Sequence, residues 1–77
     1  MTFDYLKEIP EVVSILKSEK LDTYALQIQE AFDSACTGTE VLMGVRFYLL
    51  KLPFDKLSNS TKKRIENLIK EIELILS

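Results

Sequence analysis

The groups that could do chemistry in this chain are 12 carboxylates, 10 cationic side chains and one cysteine, with no histidine among them. The missing imidazole removes the usual neutral-pH general base and the commonest metal ligand. The carboxylates fall singly along polar faces; Glu71 and Glu73, two apart, do not share a helix face and cannot act as an acid–base pair. Cys36 has no histidine to draw off its proton, so it reads as a small, half-buried residue at a helix end rather than a nucleophile. Lys62-Lys63-Arg64 is a short basic cluster of the kind normally solvated at a helix start. Without interleaved aromatic residues it is not a nucleic-acid footprint. These residues lead us to expect no catalytic residue, no metal site and no cofactor.

A different kind of site is suggested by Val41-Leu42-Met43-Gly44-Val45-Arg46-Phe47-Tyr48-Leu49-Leu50, which carries a single charge, Arg46, and a single glycine. On a wheel of about 100° per residue, Glu40, Gly44, Phe47 and Lys51 lie along one line, the only polar or small stripe of this helix. Arg46 stands away from it, flanked by Leu42, Met43, Leu49 and Leu50. An unpaired buried charge is costly, and three arrangements avoid the cost. Arg46 lies at a bundle edge with its guanidinium reaching water, or pairs with a carboxylate of another helix, or anchors an interface. If it is paired, a helix hairpin across a loop centred near Asp55 and Lys56 sets it level with Glu66, with Glu11 as the second candidate. Gly44 costs about 1 kcal/mol relative to Ala in a helix interior, which suits close approach of a neighbouring helix or, less simply, of a ligand. Phe47 and Tyr48 read as core, although an exposed Phe47 would mark a partner surface. Glu40, Gly44, Arg46 and Phe47 are therefore the candidate interaction residues.

The elements that position them are all helices. Residues 3 to 19 form the first, with Ile9, Val12, Val13 and Leu16 on one face. Pro10 makes this either a short turn from Phe3 to Ile9 followed by a helix, or one kinked helix. The second runs from Asp22 or Thr23, either of which can cap it, to Ala35, with Leu21, Ala25, Ile28, Phe32 and Ala35 as its stripe. Thr37-Gly38-Thr39-Glu40 has the capping-box spacing and launches the third, which runs to about Leu52 and stops at Pro53. Phe54 and Leu57 pin the following loop. The fourth spans 59 to 76, capped by Ser58 or Ser60, and turns Ile65, Leu68, Ile69, Ile72, Ile75 and Leu76 inward. The expected fold is all-α: a single domain, 1–77, forming a small antiparallel (up-down) four-helix bundle, its first helix broken or kinked at Pro10. A three-helix orthogonal array is the alternative.

Composition excludes several classes. A net charge of −2, with both signs mixed along 77 residues, argues against nucleic acid as the partner. The apolar run is too short to span a bilayer, which takes roughly 20 residues. The first ten residues include Asp4, Lys7, Glu8 and Pro10 rather than a secretory signal, and one cysteine suits a reducing compartment, so a cytoplasmic protein is expected.

The segment Thr39-Glu40-Val41-Leu42-Met43-Gly44-Val45-Arg46-Phe47, followed by the Leu57-Ser58 helix start, resembles a group of small bacterial proteins of unassigned function. That resemblance implies no activity or cofactor; it singles out Glu40, Gly44 and Arg46. The expected function is a non-enzymatic helical module that binds another protein or itself, with an immunity-like role as one form of it. A homodimer is favoured over a monomer, because so small a core leaves apolar surface uncovered. The rivals are a transcription-associated protein touching nucleic acid through Lys62, Lys63 and Arg64, and an apolar-ligand carrier.

Overall fold

The computed structural model describes residues 4–77; the Phe3 start expected for the first helix lies outside them. Four helices follow one another: α1 (Tyr5–Ser18), α2 (Asp22–Ser34), α3 (Gly38–Leu49) and α4 (Asn59–Leu76), with a single 3-10 turn at Phe54–Lys56 before the last. The described chain is a small all-α bundle in which α2 packs on α1 and α3, and α4 on α3 and α1. No helix among the described residues is long and apolar enough to cross a membrane.

Pro10 does not divide α1, which runs through it. The proline lacks the N–H that would bond the Leu6 carbonyl one turn back. Both Leu6 and Pro10 are exposed, so water can satisfy that carbonyl and the loss is small. The face beneath it is the expected one, with Ile9, Val12, Val13 and Leu16 all buried.

The α1–α2 corner is set by backbone bonding rather than by a side-chain cap. The Leu21 N–H donates to the Leu16 carbonyl at 2.9 Å and the Lys20 N–H to the Lys17 carbonyl at 3.1 Å. This is a Schellman ending, with Lys20 in the left-handed region at φ 65° where glycine is usual. Leu21 thereby becomes the N-cap of α2, without a side-chain cap bond, in place of the Asp22 or Thr23 expected. Asp22 instead lies in the first turn, where its charge meets the positive end of the helix dipole.

At the next corner the capping box forms with a shift. Glu40 N–H donates to Thr37 Oγ1 at 3.2 Å, as its spacing implies. The Glu40 carboxylate accepts from Cys36 N–H at 3.5 Å, one residue beyond the reciprocal position. Helix α3 ends at Leu49, three residues short of the expected Leu52, and the chain turns through Leu50–Leu52. Buried Leu52 and Leu57, with half-buried Phe54, hold this connection against the bundle.

The core is one cluster to which every helix contributes: the α1 face, Ala25 and Ile28 of α2, Val41, Leu42, Val45 and Leu49 of α3, and Ile65, Leu68 and Ile72 of α4. At Gly44 an added Cβ would stand 3.3 Å from the Ala31 Cβ, so the glycine lets α2 and α3 approach closely. Of the expected α4 stripe, Ile75 faces outward and is 49% exposed.

Candidate functional site

Four inward residues decide what α3 shows to solvent. Val41, Leu42, Val45 and Leu49 occupy the buried arc, and this turns Met43, Phe47 and Leu50 to the opposite side of the helix. Met43 is 58% exposed, Phe47 53% and Leu50 49%. Their spacing of i, i+4 and i+7 makes a second apolar stripe on a helix whose first stripe is already buried. The Phe47 ring is braced in this outward position. Lys51 Nζ lies 4.4 Å from its centroid, and Tyr48 meets it edge-on at 5.2 Å. Phe47 is thus a surface residue rather than the core residue expected, whereas Tyr48 is half-buried against the core.

Beside this stripe runs a groove of about 500 Å³ between α3 and the end of α4, lined by Met43, Arg46, Phe47, Leu50, Glu73, Leu76 and Ser77. Arg46 is fixed along it by an ion pair. Its Nε and Nη2 both donate to Glu73 Oε2, at 3.0 and 2.7 Å. The partner is neither Glu66 nor Glu11. Hairpin arithmetic assumes a tight reversal at Asp55 and Lys56. The connection instead runs from Leu50 to Ser58 with its own buried anchors, and Arg46 meets a residue seven positions beyond Glu66. Glu66 lies exposed in a separate surface groove with Lys63, Asn67 and Lys70, and Glu11 is engaged by Arg64.

Of the four candidate residues, Arg46 and Phe47 line one groove. Of the expected polar line, Glu40, Phe47 and Lys51 are exposed, whereas Gly44 is turned toward Ala31 of α2. Met43, Leu50 and Glu73 were not singled out from the sequence. A signal for the first two was present: α3 carries more large apolar residues than one buried arc can hold.

Elsewhere the ionic groups are used to tie helices together. Arg64 donates to Glu8 Oε2 and Oε1 at 2.7 and 2.9 Å and also to Glu11. The hydrogen bond to Glu8 holds its guanidinium still more firmly in the charged form. At the other end of α1, Glu19 receives Ser58 N–H at 3.2 Å and the Thr61 hydroxyl. With that proton committed, the Ser58 hydroxyl can donate to Thr61 Oγ1 at 2.9 Å, a chain that ends on the carboxylate. Ser58 is the N-cap of α4 by position, but this clasp replaces an ordinary side-chain cap. The Thr61 bond, then the Ser58 N–H, hold the Glu19 carboxyl below its usual range. Cys36 is exposed at the α2–α3 corner rather than half-buried, and no cluster of three or more potential metal ligands forms among the described residues.

In comparison with known proteins, the chain matches no family model, no curated protein and no solved structure.

Proposed function

We propose that this chain is a non-enzymatic, cytoplasmic protein-interaction module whose docking surface is the outward face of α3 with the adjoining groove. The observation that carries the reading is the exposed stripe Met43, Phe47 and Leu50 on a helix whose opposite face is fully used in the core. A contiguous apolar patch rimmed by charge is the usual mark of a partner site, and aromatic residues and Met are enriched at the centres of such sites. Here the rim is Arg46, Glu73, Lys51 and Glu40. The braced Phe47 is already ordered, so docking on it costs little side-chain entropy.

The competing readings have less to rest on. The basic cluster is reduced to Lys62 and Lys63, because Arg64 is engaged by Glu8 and Glu11. An apolar-ligand carrier needs an enclosed site, whereas both grooves lie on the surface and have charged residues in their walls. The test is to immobilise wild-type, Phe47→Glu and Lys63→Glu chains and compare what each retains from the same cell extract. A protein held by wild type and Lys63→Glu but lost on Phe47→Glu supports the reading. Identical retention by all three would end it.

A further inference from the structure

We propose that the α3 face is a two-fold interface, and that its occupant is a second copy of this chain packed with the two α3 helices antiparallel. The inference rests on the reading of this face as a docking surface and names its partner.

The charge pattern carries the argument. Glu40 and Lys51 lie on the same flank of the apolar stripe, about 20° apart on the helical wheel, at its two ends. A two-fold axis between antiparallel helices keeps each flank on its own side and exchanges the ends. Glu40 of each copy then meets Lys51 of the other, so the contact is made twice. Parallel packing would instead carry this flank to the opposite side of the second copy at the same height, so Glu40 and Lys51, about 16 Å apart along the axis, would not meet. The apolar residues agree with the antiparallel form. The Glu40–Lys51 pairing has its midpoint between residues 45 and 46, and pairing Met43 with Leu50 of the other copy has its midpoint between 46 and 47. The two registers differ by two residues, about 3 Å along the axis and within the reach of a lysine. Phe47 falls next to its own counterpart near the two-fold axis.

On the other flank Arg46 also lies near the midpoint and would meet its like in the second copy. Glu73 removes that conflict. Both Arg46 N–H groups go to Glu73 Oε2, which leaves Oε1 able to accept from the Arg46 of the other copy. Two arginines and two glutamates then form a neutral ring.

The size of the patch sets the strength. Three half-uncovered apolar side chains expose on the order of 300 Å² per copy. That is below the roughly 800 Å² per partner of a standard stable complex, so the dimer is a weak and transient one.

Sedimentation velocity of the full chain, from low micromolar to millimolar, tests the proposal. Wild type should move from a species of 8.9 kDa toward twice that mass as concentration rises. Phe47→Glu, or Leu50→Glu should the first variant fold poorly by circular dichroism, should weaken association at least about tenfold. Glu40→Lys and Lys51→Glu should each weaken it several-fold, and the two together should restore it, which only the antiparallel arrangement allows. Three results would overturn the proposal: wild type monomeric at every concentration, a dimer untouched by both apolar-face variants, or a double swap no better than either single one. A monomeric chain that still retains another protein through Phe47 would overturn self-association alone and leave the docking reading standing.

Discussion

Glu19→Gln isolates the charge in the clasp between α1 and the start of α4. The substitution keeps the side-chain length and one acceptor oxygen for the Ser58 N–H, now 3.2 Å away, but removes the negative charge. A hydrogen bond to a charged group contributes about 1.5–3 kcal/mol when well shielded. A carboxylate at a helix N-terminus adds about 0.3–1 kcal/mol. Glu19 is only partly covered and keeps a neutral bond in the variant, so the loss expected at neutral pH is about 1 kcal/mol. For a domain of this length, with a total stability of about 4–12 kcal/mol, that loss lowers the melting temperature by about 4–8 °C.

The pH dependence follows from the direction of the shift. The carboxyl is held below its ordinary value of 4.5, first by the Thr61 hydroxyl and then by the Ser58 N–H. Its contribution is fully present above the unfolded value and disappears as pH falls through the lower folded one, where both states carry the proton. The gap between wild type and variant should therefore be constant from about pH 7 to 5 and should close below about pH 4. Urea unfolding followed by helical circular dichroism across this range measures it. A gap that persists unchanged at low pH would show that shape, not charge, is what the clasp provides. No gap at neutral pH would show that water replaces the carboxylate without loss.

Arg46→Met and Glu73→Gln should each change monomer stability by less than about 1 kcal/mol, because the pair is largely solvated; a double-mutant cycle should couple Arg46 to Glu73 and not to Glu66, and the reverse would contradict the register of α3 on α4. Lys20→Gly should stabilise the chain by about 0.5–1 kcal/mol in urea unfolding, since it relieves the left-handed backbone at φ 65°. Gly44→Val should destabilise it by about 1–3 kcal/mol, as even a Cβ there stands 3.3 Å from Ala31. Exposed Cys36 should be labelled by a maleimide in the native protein; protection from labelling would mean that the corner is covered.

The existence of four helices and the faces that α1, α2 and α4 bury were legible because both depend on local chemistry. Ile9, Val12, Val13 and Leu16 repeat at the helical period, and a stripe of that kind has one side to bury. Thr37 and Glu40 find each other across a single turn, so their spacing alone predicts the start of α3. The fourth stripe was legible over Ile65, Leu68 and Ile72 for the same reason.

The surface on which the proposed function rests was decided by packing between helices. A segment apolar on nearly all sides has no unique inward arc, so its sequence cannot say whether Phe47 or Val45 enters the core. That choice depends on how closely α2 approaches at Gly44 and where α4 crosses. The partner of Arg46 depends on the path from Leu50 to Ser58, whose buried anchors move the meeting point two turns along α4 from Glu66 to Glu73. Glu19, at the end of the first helix, is the acceptor for the start of the last, 39 residues away. Pairings across such separations follow from the relative placement of whole helices, which summed side-chain packing selects and no local spacing encodes.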